Sequence, residues 1–78
     1  MLTASTHRFD QREAVHLTWA GASFRVKIFR NGVVLAKVQN TSSYTDVLTV
    51  HGLYTYQVCD VGTMNCSNEV TVRFDGGP

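Results

Sequence analysis

The sequence of 78 residues predicts an all-β fold, a sandwich of about seven short antiparallel strands in two sheets. Its composition supports this, because eleven Val, nine Thr and eight aromatic residues favour pleated sheet, whereas Ala and Leu number only five each. Short segments of alternating hydrophobicity recur at regular spacing with turn-forming residues between them. No connection is long and periodic enough for a crossover helix, which excludes a parallel α/β fold.

The N-terminal part of the chain contains one clear strand. Residues 14–19 alternate in hydrophobicity and predict a strand with Val15, Leu17 and Trp19 on the inner side. The first few residues predict no more than a short edge strand. The polar residues 6–13 predict a loop between the two.

The middle of the chain predicts a hairpin. Residues 24–28 alternate with basic side chains facing outward, and residues 33–38 predict the returning strand. Asn31 and Gly32 stand between the two segments. Asn-Gly is the strongest short hairpin signal, because a type I′ turn requires positive φ at both central residues.

Three further strands are predicted in the second half of the chain, at residues 44–50, 53–59 and 69–74. A chain of this length has room for one domain only. We assign residues 1–75 to a single sandwich domain and residues 76–78 to a tail or linker.

Two cysteines, Cys59 and Cys66, have the spacing of a bridge across a hairpin, and an even number fits a secreted chain. A disulfide closing so short a loop contributes about 2 to 3 kcal/mol. The alternative is a pair of free thiols in a cytosolic protein. Two cysteines without a second pair or a nearby His make a poor zinc site.

Strand parity places a condition on this disulfide. If Val58 faces the core, Cys59 faces outward, whereas strict alternation from an inward Val72 turns Cys66 inward. Sulfur atoms on opposite faces are too far apart to bond. The sequence therefore predicts a bulge between Cys66 and Glu69 that shifts the parity by one residue.

Composition and motifs argue against several classes of function. The net charge of +1 argues against a dedicated nucleic-acid binder, and no apolar run has the length of a membrane helix. No nucleophile stands in a recognisable catalytic arrangement, and His7, His16 and His51 are far apart in the sequence. We expect no enzyme activity, no cofactor and no metal.

One candidate interaction surface emerges from strand parity, which places Arg25, Lys27 and Phe29 together on one outer face. Two cations beside an exposed aromatic ring suit an acidic, glycan or protein surface. The alternative is a solvated face whose charges keep the sheet soluble and discourage edge pairing, with Phe29 packed under the turn. The other large aromatic residues are predicted to lie in the core: Trp19, Phe24, Tyr44, Tyr54 and Tyr56.

The order and spacing of several segments resemble a fibronectin type III domain across residues 14–74. These segments are 17–19, 26–32, 44–46 and 54–58. The resemblance implies that Trp19 packs in the core and that Tyr56, two residues before Val58, forms the tyrosine corner. The sequence lacks the Pro-rich first strand and the Arg-Gly-Asp adhesion tripeptide seen in the broader family.

The C-terminal residues 58–72 look more specifically like small bacterial domains at the C-terminus of secreted subtilisin-like serine proteases. This resemblance implies a monomeric, non-catalytic accessory module of a secreted hydrolase. Such a module binds a protein or polymeric substrate or a surface, or positions the parent catalytic domain. The alternatives are an inert structural spacer and, with less support, a carbohydrate-binding module. The first residues do not form a signal peptide, so an extracellular location implies a longer precursor.

Overall fold

The computed structural model describes residues 1–20, 24–39, 41–62 and 65–74, and the predicted tail lies outside them. The described residues form seven strands in two antiparallel sheets, without a helix, which confirms the predicted all-β architecture. The strands are β1 Leu2–Phe9, β2 Arg12–Trp19, β3 Arg25–Arg30, β4 Val33–Gln39, β5 Ser43–Leu48, β6 Gly52–Asp60 and β7 Val70–Phe74.

The two sheets enclose one core. The three-stranded sheet has the order β1-β2-β5, and the four-stranded sheet has the order β4-β3-β6-β7. Val15, Leu17 and Trp19 of β2 are buried, as their alternation predicts. The other buried members of the core are Leu2, Val26, Ile28, Leu48, Tyr56, Val58, Val72 and Phe74.

The prediction of a short edge strand followed by a loop at residues 6–13 is wrong. β1 has eight residues and pairs with β2 at every position, so the two strands form a long hairpin. Asp10 and Gln11 make the turn with φ angles of 48° and 64°. Gln is not a residue that favours this conformation, so the turn lacks a recognisable signal. Beyond its buried first residue, Leu2, β1 is mostly exposed and shows no alternating pattern.

The predicted Asn31-Gly32 hairpin is confirmed between β3 and β4. Both residues have positive φ, 54° and 80°, as a type I′ turn requires. The Asn31 carboxamide also docks on β6, where its Oδ1 accepts a hydrogen bond from the Thr55 backbone N–H at 2.9 Å. The Asn31 backbone N–H donates to the Thr55 carbonyl at 2.8 Å. The turn therefore fixes the hairpin against its neighbour in the sheet.

The prediction that Phe24 lies in the core is wrong. Its side chain is 78% exposed, and β3 begins one residue later, at Arg25. The predicted alternation over residues 24–28 places Phe24 on the inner side together with Val26 and Ile28, but the chain joins the sheet only at Arg25. Tyr44 and Tyr54 are partly buried against the core.

The tyrosine corner expected at Tyr56 is also a wrong assignment. The Tyr56 hydroxyl donates to Asp46 Oδ2 at 2.7 Å in the interior. A bond of the corner type is made instead by Tyr54, whose hydroxyl donates to the carbonyl of Val50, four residues upstream in the β5–β6 connection. Both tyrosines stand on the inward parity of β6, and the sequence spacing alone does not distinguish them.

The predicted bulge before β7 is confirmed by the pairing register. Tyr56 pairs with Val70, and Cys59 pairs with Cys66, so three steps along β6 match four steps on the partner segment. Ser67 fills the irregular position. Its backbone N–H donates to the Val58 carbonyl at 2.7 Å, and its Oγ accepts from the Val58 N–H at 2.9 Å. A side-chain oxygen thus replaces a backbone carbonyl in the ladder.

β1 and β7 lie in different sheets but run in the same direction. Leu2, at the start of β1, hydrogen-bonds the Asn68 side chain just before β7. Near the other end of both strands, the Arg8 guanidinium lies 5.6 Å from the centroid of the Phe74 ring. Leu2 and Phe74 therefore lie at opposite ends of this pair of strands.

Candidate binding face

The outer face of the four-stranded sheet contains the three residues proposed for interaction. Arg25, Lys27 and Phe29 alternate along β3 with the buried Val26 and Ile28. Arg25 is exposed, whereas Lys27 and Phe29 are half-buried. A half-buried lysine packs its aliphatic stem on the sheet and keeps its ammonium group in water.

Register brings a further cation to this face that the sequence analysis missed. Lys37 of β4 lies directly opposite Lys27, and Gln39 lies opposite Arg25. The cause is a register shift between Ile28 and Phe29, which leaves one extra residue in β4. Without that shift, alternation counted from the Asn31-Gly32 turn would put Lys37 on the inner side of the sheet. A local sequence pattern therefore does not predict that Lys37 lies on the outer face.

On the other side of β3, the strand β6 adds polar and sulfur-containing groups to the same face. Lys27 pairs with Cys59, and Phe29 pairs with Gln57. Phe29 also lies opposite Val34 across the β3–β4 ladder, and its side chain is half-buried. β7 contributes Arg73, paired with Leu53 of β6.

The charged residues that are paired on this face have one sign. We define the basic face by Arg25, Lys27, Lys37 and Arg73, which are four of the seven Lys and Arg residues of the chain. Among the paired residues of the four strands that point to this side, none is acidic. Like charges directly opposite each other on a sheet are destabilising, and Lys27 and Lys37 are placed in this way. The near-neutral net charge therefore hides a local concentration of positive charge.

Two carboxylates of the three-stranded sheet, Glu13 and Asp46, are buried. Asp46 of β5 bonds Tyr56 and also receives a hydrogen bond from Arg30 Nη1 at 2.9 Å, which links the two sheets. Glu13 of β2 is 7% exposed, and its Oε2 has no hydrogen-bond partner among the described residues. Neither carboxylate is marked as buried in the sequence, because charged side chains are rarely buried and Glu13 lies in the predicted loop at residues 6–13.

The cross-sheet group of Arg30, Asp46 and Tyr56 has perturbed proton affinities. Burial, the hydrogen bond to Asp46 and the Asp46 charge all raise the pKa of Tyr56 far above its ordinary value. Burial alone would lower the pKa of Arg30, but the hydrogen bond and charge of Asp46 raise it overall. Both shifts keep the group in its ordinary protonation state at neutral pH, so the arrangement serves as a structural link between the sheets.

The predicted disulfide between Cys59 and Cys66 is present, and Cys59 lies opposite Lys27 of the basic face. The two Cα atoms are 3.9 Å apart, and the flanking hydrogen bonds run from Ser67 to Val58 and from Asp60 to Asn65. This pattern defines a non-hydrogen-bonded pair, in which opposite side chains come closest. Cys59 is buried and Cys66 is exposed.

Cavities and titratable clusters are small in the described part of the chain. A cavity of about 130 Å³ lies beside Cys66, with Trp19 and Ser67 among its lining residues. No group of three or more His, Cys, Asp or Glu residues within the described ranges could hold a metal ion. The described residues also include no helix able to cross a membrane.

The aromatic residues give the carbohydrate-binding alternative little support. A sugar platform is usually a flat stripe of exposed rings, but Trp19 and Tyr56 are buried, and Tyr44 and Tyr54 pack against the core. Among the described Phe, Tyr and Trp residues the most exposed is Phe24, which lies outside both sheets. Comparison with protein-family models, curated proteins and solved structures gives no match to this chain.

Proposed function

We propose that this chain is a non-catalytic, fibronectin type III-like module of a secreted protein and that it binds an acidic surface on a protein or polymeric partner through its basic face. The parent protein, by the resemblance of residues 58–72, is a hydrolase such as a serine protease. The observation that carries the proposal is the gathering of Arg25, Lys27, Lys37 and Arg73 on one side of the sheet. A one-signed patch accelerates encounter with an oppositely charged partner and orients it.

The strand order supports the proposed fold family. The fourth strand joins the sheet that contains the third, sixth and seventh strands, while the first, second and fifth strands form the other sheet. Strands that leave one sheet and return to it in this order are typical of immunoglobulin-like sandwiches. The disulfide is compatible with an extracellular protein.

The binding proposal is tested by NMR titration with polyglutamate of defined length at low ionic strength, and then with added salt. We expect saturable shift changes at β3 and β4, weaker binding at higher salt, and a several-fold loss of affinity in the double variant Lys27→Gln, Lys37→Gln. Arg12→Gln and the single variant Lys27→Gln form the matched pair, since each removes one positive charge and Arg12 is exposed on the other sheet. Equal effects of the two changes would refute a specific role for the basic face.

A structural spacer is the second candidate, and the opposite positions of Leu2 and Phe74 favour it. A domain whose first and last strands run in the same direction separates the segments joined to it by its own length. The spacer alternative predicts no saturable shifts with polyglutamate, gelatin or the parent catalytic domain. It also predicts that replacing the basic residues leaves the activity of the full-length protein unchanged.

A further inference from the structure

We propose that Cys59–Cys66 is a thiol–disulfide exchange site for a low-molecular-weight thiol, and that attack occurs at Cys66. This inference is independent of the proposed binding function. The two sulfur positions differ in access, because Cys66 is exposed and Cys59 is buried. An incoming thiolate therefore reaches Cys66 Sγ, next to the 130 Å³ cavity that Cys66 helps to line.

The leaving group is placed beside a cation. Lys27 pairs with Cys59 in the β3–β6 ladder, and opposite residues of such a pair have Cβ atoms about 4.5 to 5.5 Å apart. Lys27 forms no ion pair with a described acidic residue, and its other cross-strand neighbour is Lys37. A nearby ammonium group stabilises a thiolate, and a more stable thiolate leaves faster in disulfide exchange.

The exchange is balanced by two equivalents of the small thiol. The first thiolate attacks Cys66 Sγ and forms a mixed disulfide, the Cys59–Cys66 bond breaks, and its electron pair remains on Cys59 as a thiolate. A second thiolate attacks the sulfur of the small molecule in the mixed disulfide and releases the oxidised dimer of that thiol together with the Cys66 thiolate. The proton of each small thiol is finally taken up by one of the two cysteines.

The structure favours reduction and reoxidation of the Cys59–Cys66 disulfide without unfolding of the domain. Backbone hydrogen bonds of 2.7 Å and 2.9 Å flank the disulfide on either side, and they do not involve the sulfur atoms. These bonds hold the two cysteines opposite each other after reduction, so the dithiol stays arranged for reoxidation. The β6–β7 ladder and the core residues Val58 and Val72 keep the hairpin in place.

The test uses reduced glutathione with the oxidised chain, acid quenching, alkylation and mass mapping of the adduct. We expect glutathione on Cys66, an alkylated Cys59, and a reduced protein whose NMR dispersion remains that of the folded state. Lys27→Gln should slow the reaction by roughly threefold to tenfold, and Lys27→Arg should restore most of the rate. Arg73→Gln, which removes a charge from the far end of the same face, should change the rate less than twofold.

Several outcomes would overturn the proposal. An adduct on Cys59 contradicts the assigned direction of attack. A rate that is independent of glutathione concentration and equal to the global unfolding rate shows that the disulfide reacts only in the unfolded chain. Equal rates for Lys27→Gln and Arg73→Gln remove the role of the cation, and the thermal midpoint of each variant shows whether the fold itself has changed.

Discussion

The side chain of Asn68 hydrogen-bonds both backbone polar groups of Leu2, as a neighbouring strand would. Asn68 Oδ1 accepts from the Leu2 N–H at 2.8 Å, and Asn68 Nδ2 donates to the Leu2 carbonyl at 3.1 Å. Leu2 belongs to the three-stranded sheet, whereas Asn68 stands in the segment before β7 of the other sheet. The two bonds therefore connect the sheets at the edge where β1 would otherwise have one pairing partner only.

Replacing Asn68 by Ala should destabilise the domain by about 1 to 3 kcal/mol, since two partly buried backbone groups lose their partners. Urea denaturation measures this change. Hydrogen exchange at the Leu2 amide should accelerate more than exchange in β6. The control is Glu69→Ala at the exposed neighbouring position, where we expect a change within about 0.5 kcal/mol. Equal effects at the two sites would contradict the connecting role of Asn68.

Tyr56→Phe should cost about 1 to 2 kcal/mol at neutral pH, because Asp46 keeps its bond to Arg30 but loses the one from the tyrosine hydroxyl. The same residue predicts a loss of stability in alkali. The pKa of Tyr56 is raised in the folded state, so above about pH 10 the unfolded chain releases this proton first. The contribution of Tyr56 to the free energy of unfolding is therefore complete below about pH 10 and declines above it.

Chemical denaturation between pH 8 and 11.5 measures this alkaline effect. The natural sequence should lose up to about 1.4 kcal/mol more per pH unit above pH 10 than Tyr56→Phe does. Tyr44→Phe serves as a control for a half-buried tyrosine of the same chain. Parallel curves for the natural sequence and Tyr56→Phe would show that Tyr56 titrates normally in the folded protein.

Glu13→Met should stabilise the domain by about 1 to 3 kcal/mol. Methionine has a similar length and buries no carboxylate oxygen, whereas Glu13 Oε2 is buried without a hydrogen-bond partner among the described residues. Asp46→Asn, at the other buried carboxylate, should have the opposite sign because Asp46 accepts two hydrogen bonds. Thermal and urea unfolding both report the difference. A destabilised Glu13→Met variant would reveal a favourable interaction of this carboxylate.

Gly32→Ala and Gly62→Ala form a matched pair. Both glycines have positive φ, 80° and 86°, and a Cβ added at either position meets no atom within 4 Å. Each replacement should therefore cost about 1 to 2 kcal/mol through backbone strain alone. Unfolding in urea provides the comparison. A much larger loss at Gly32 would mean that the change also detaches Asn31 from β6.

The strands that are predicted well from the sequence are those with one side buried in the core. β2 alternates because one side contacts the core, and the Asn31-Gly32 turn requires a backbone conformation that few residues adopt. β1 was missed because it is an edge strand with little buried surface and a turn without glycine. Hydrophobic periodicity arises from burial of one side of a strand. It therefore does not predict a strand that is held mainly by backbone hydrogen bonds.

The candidate binding face was predicted in part for a related reason. Arg25, Lys27 and Phe29 share one strand, so alternation alone relates them. Lys37 joins them through a register shift, and Arg73 joins through pairing with a strand far along the chain. Register between strands depends on bulges and long-range packing, which a local pattern does not encode.

The bulge before β7 has a consequence for how the two sheets are joined. Removing one residue between Cys66 and Val70 would place Cys66 opposite Cys59 in a regular ladder, so neither the disulfide nor the inward parity of β7 requires the extra residue. What a regular strand would lose is the irregular backbone from which Asn68 reaches Leu2. The interruption of pairing within one sheet thus creates a connection between two sheets, and a shortened chain would keep both hairpins while losing the link from Leu2 to the segment before β7.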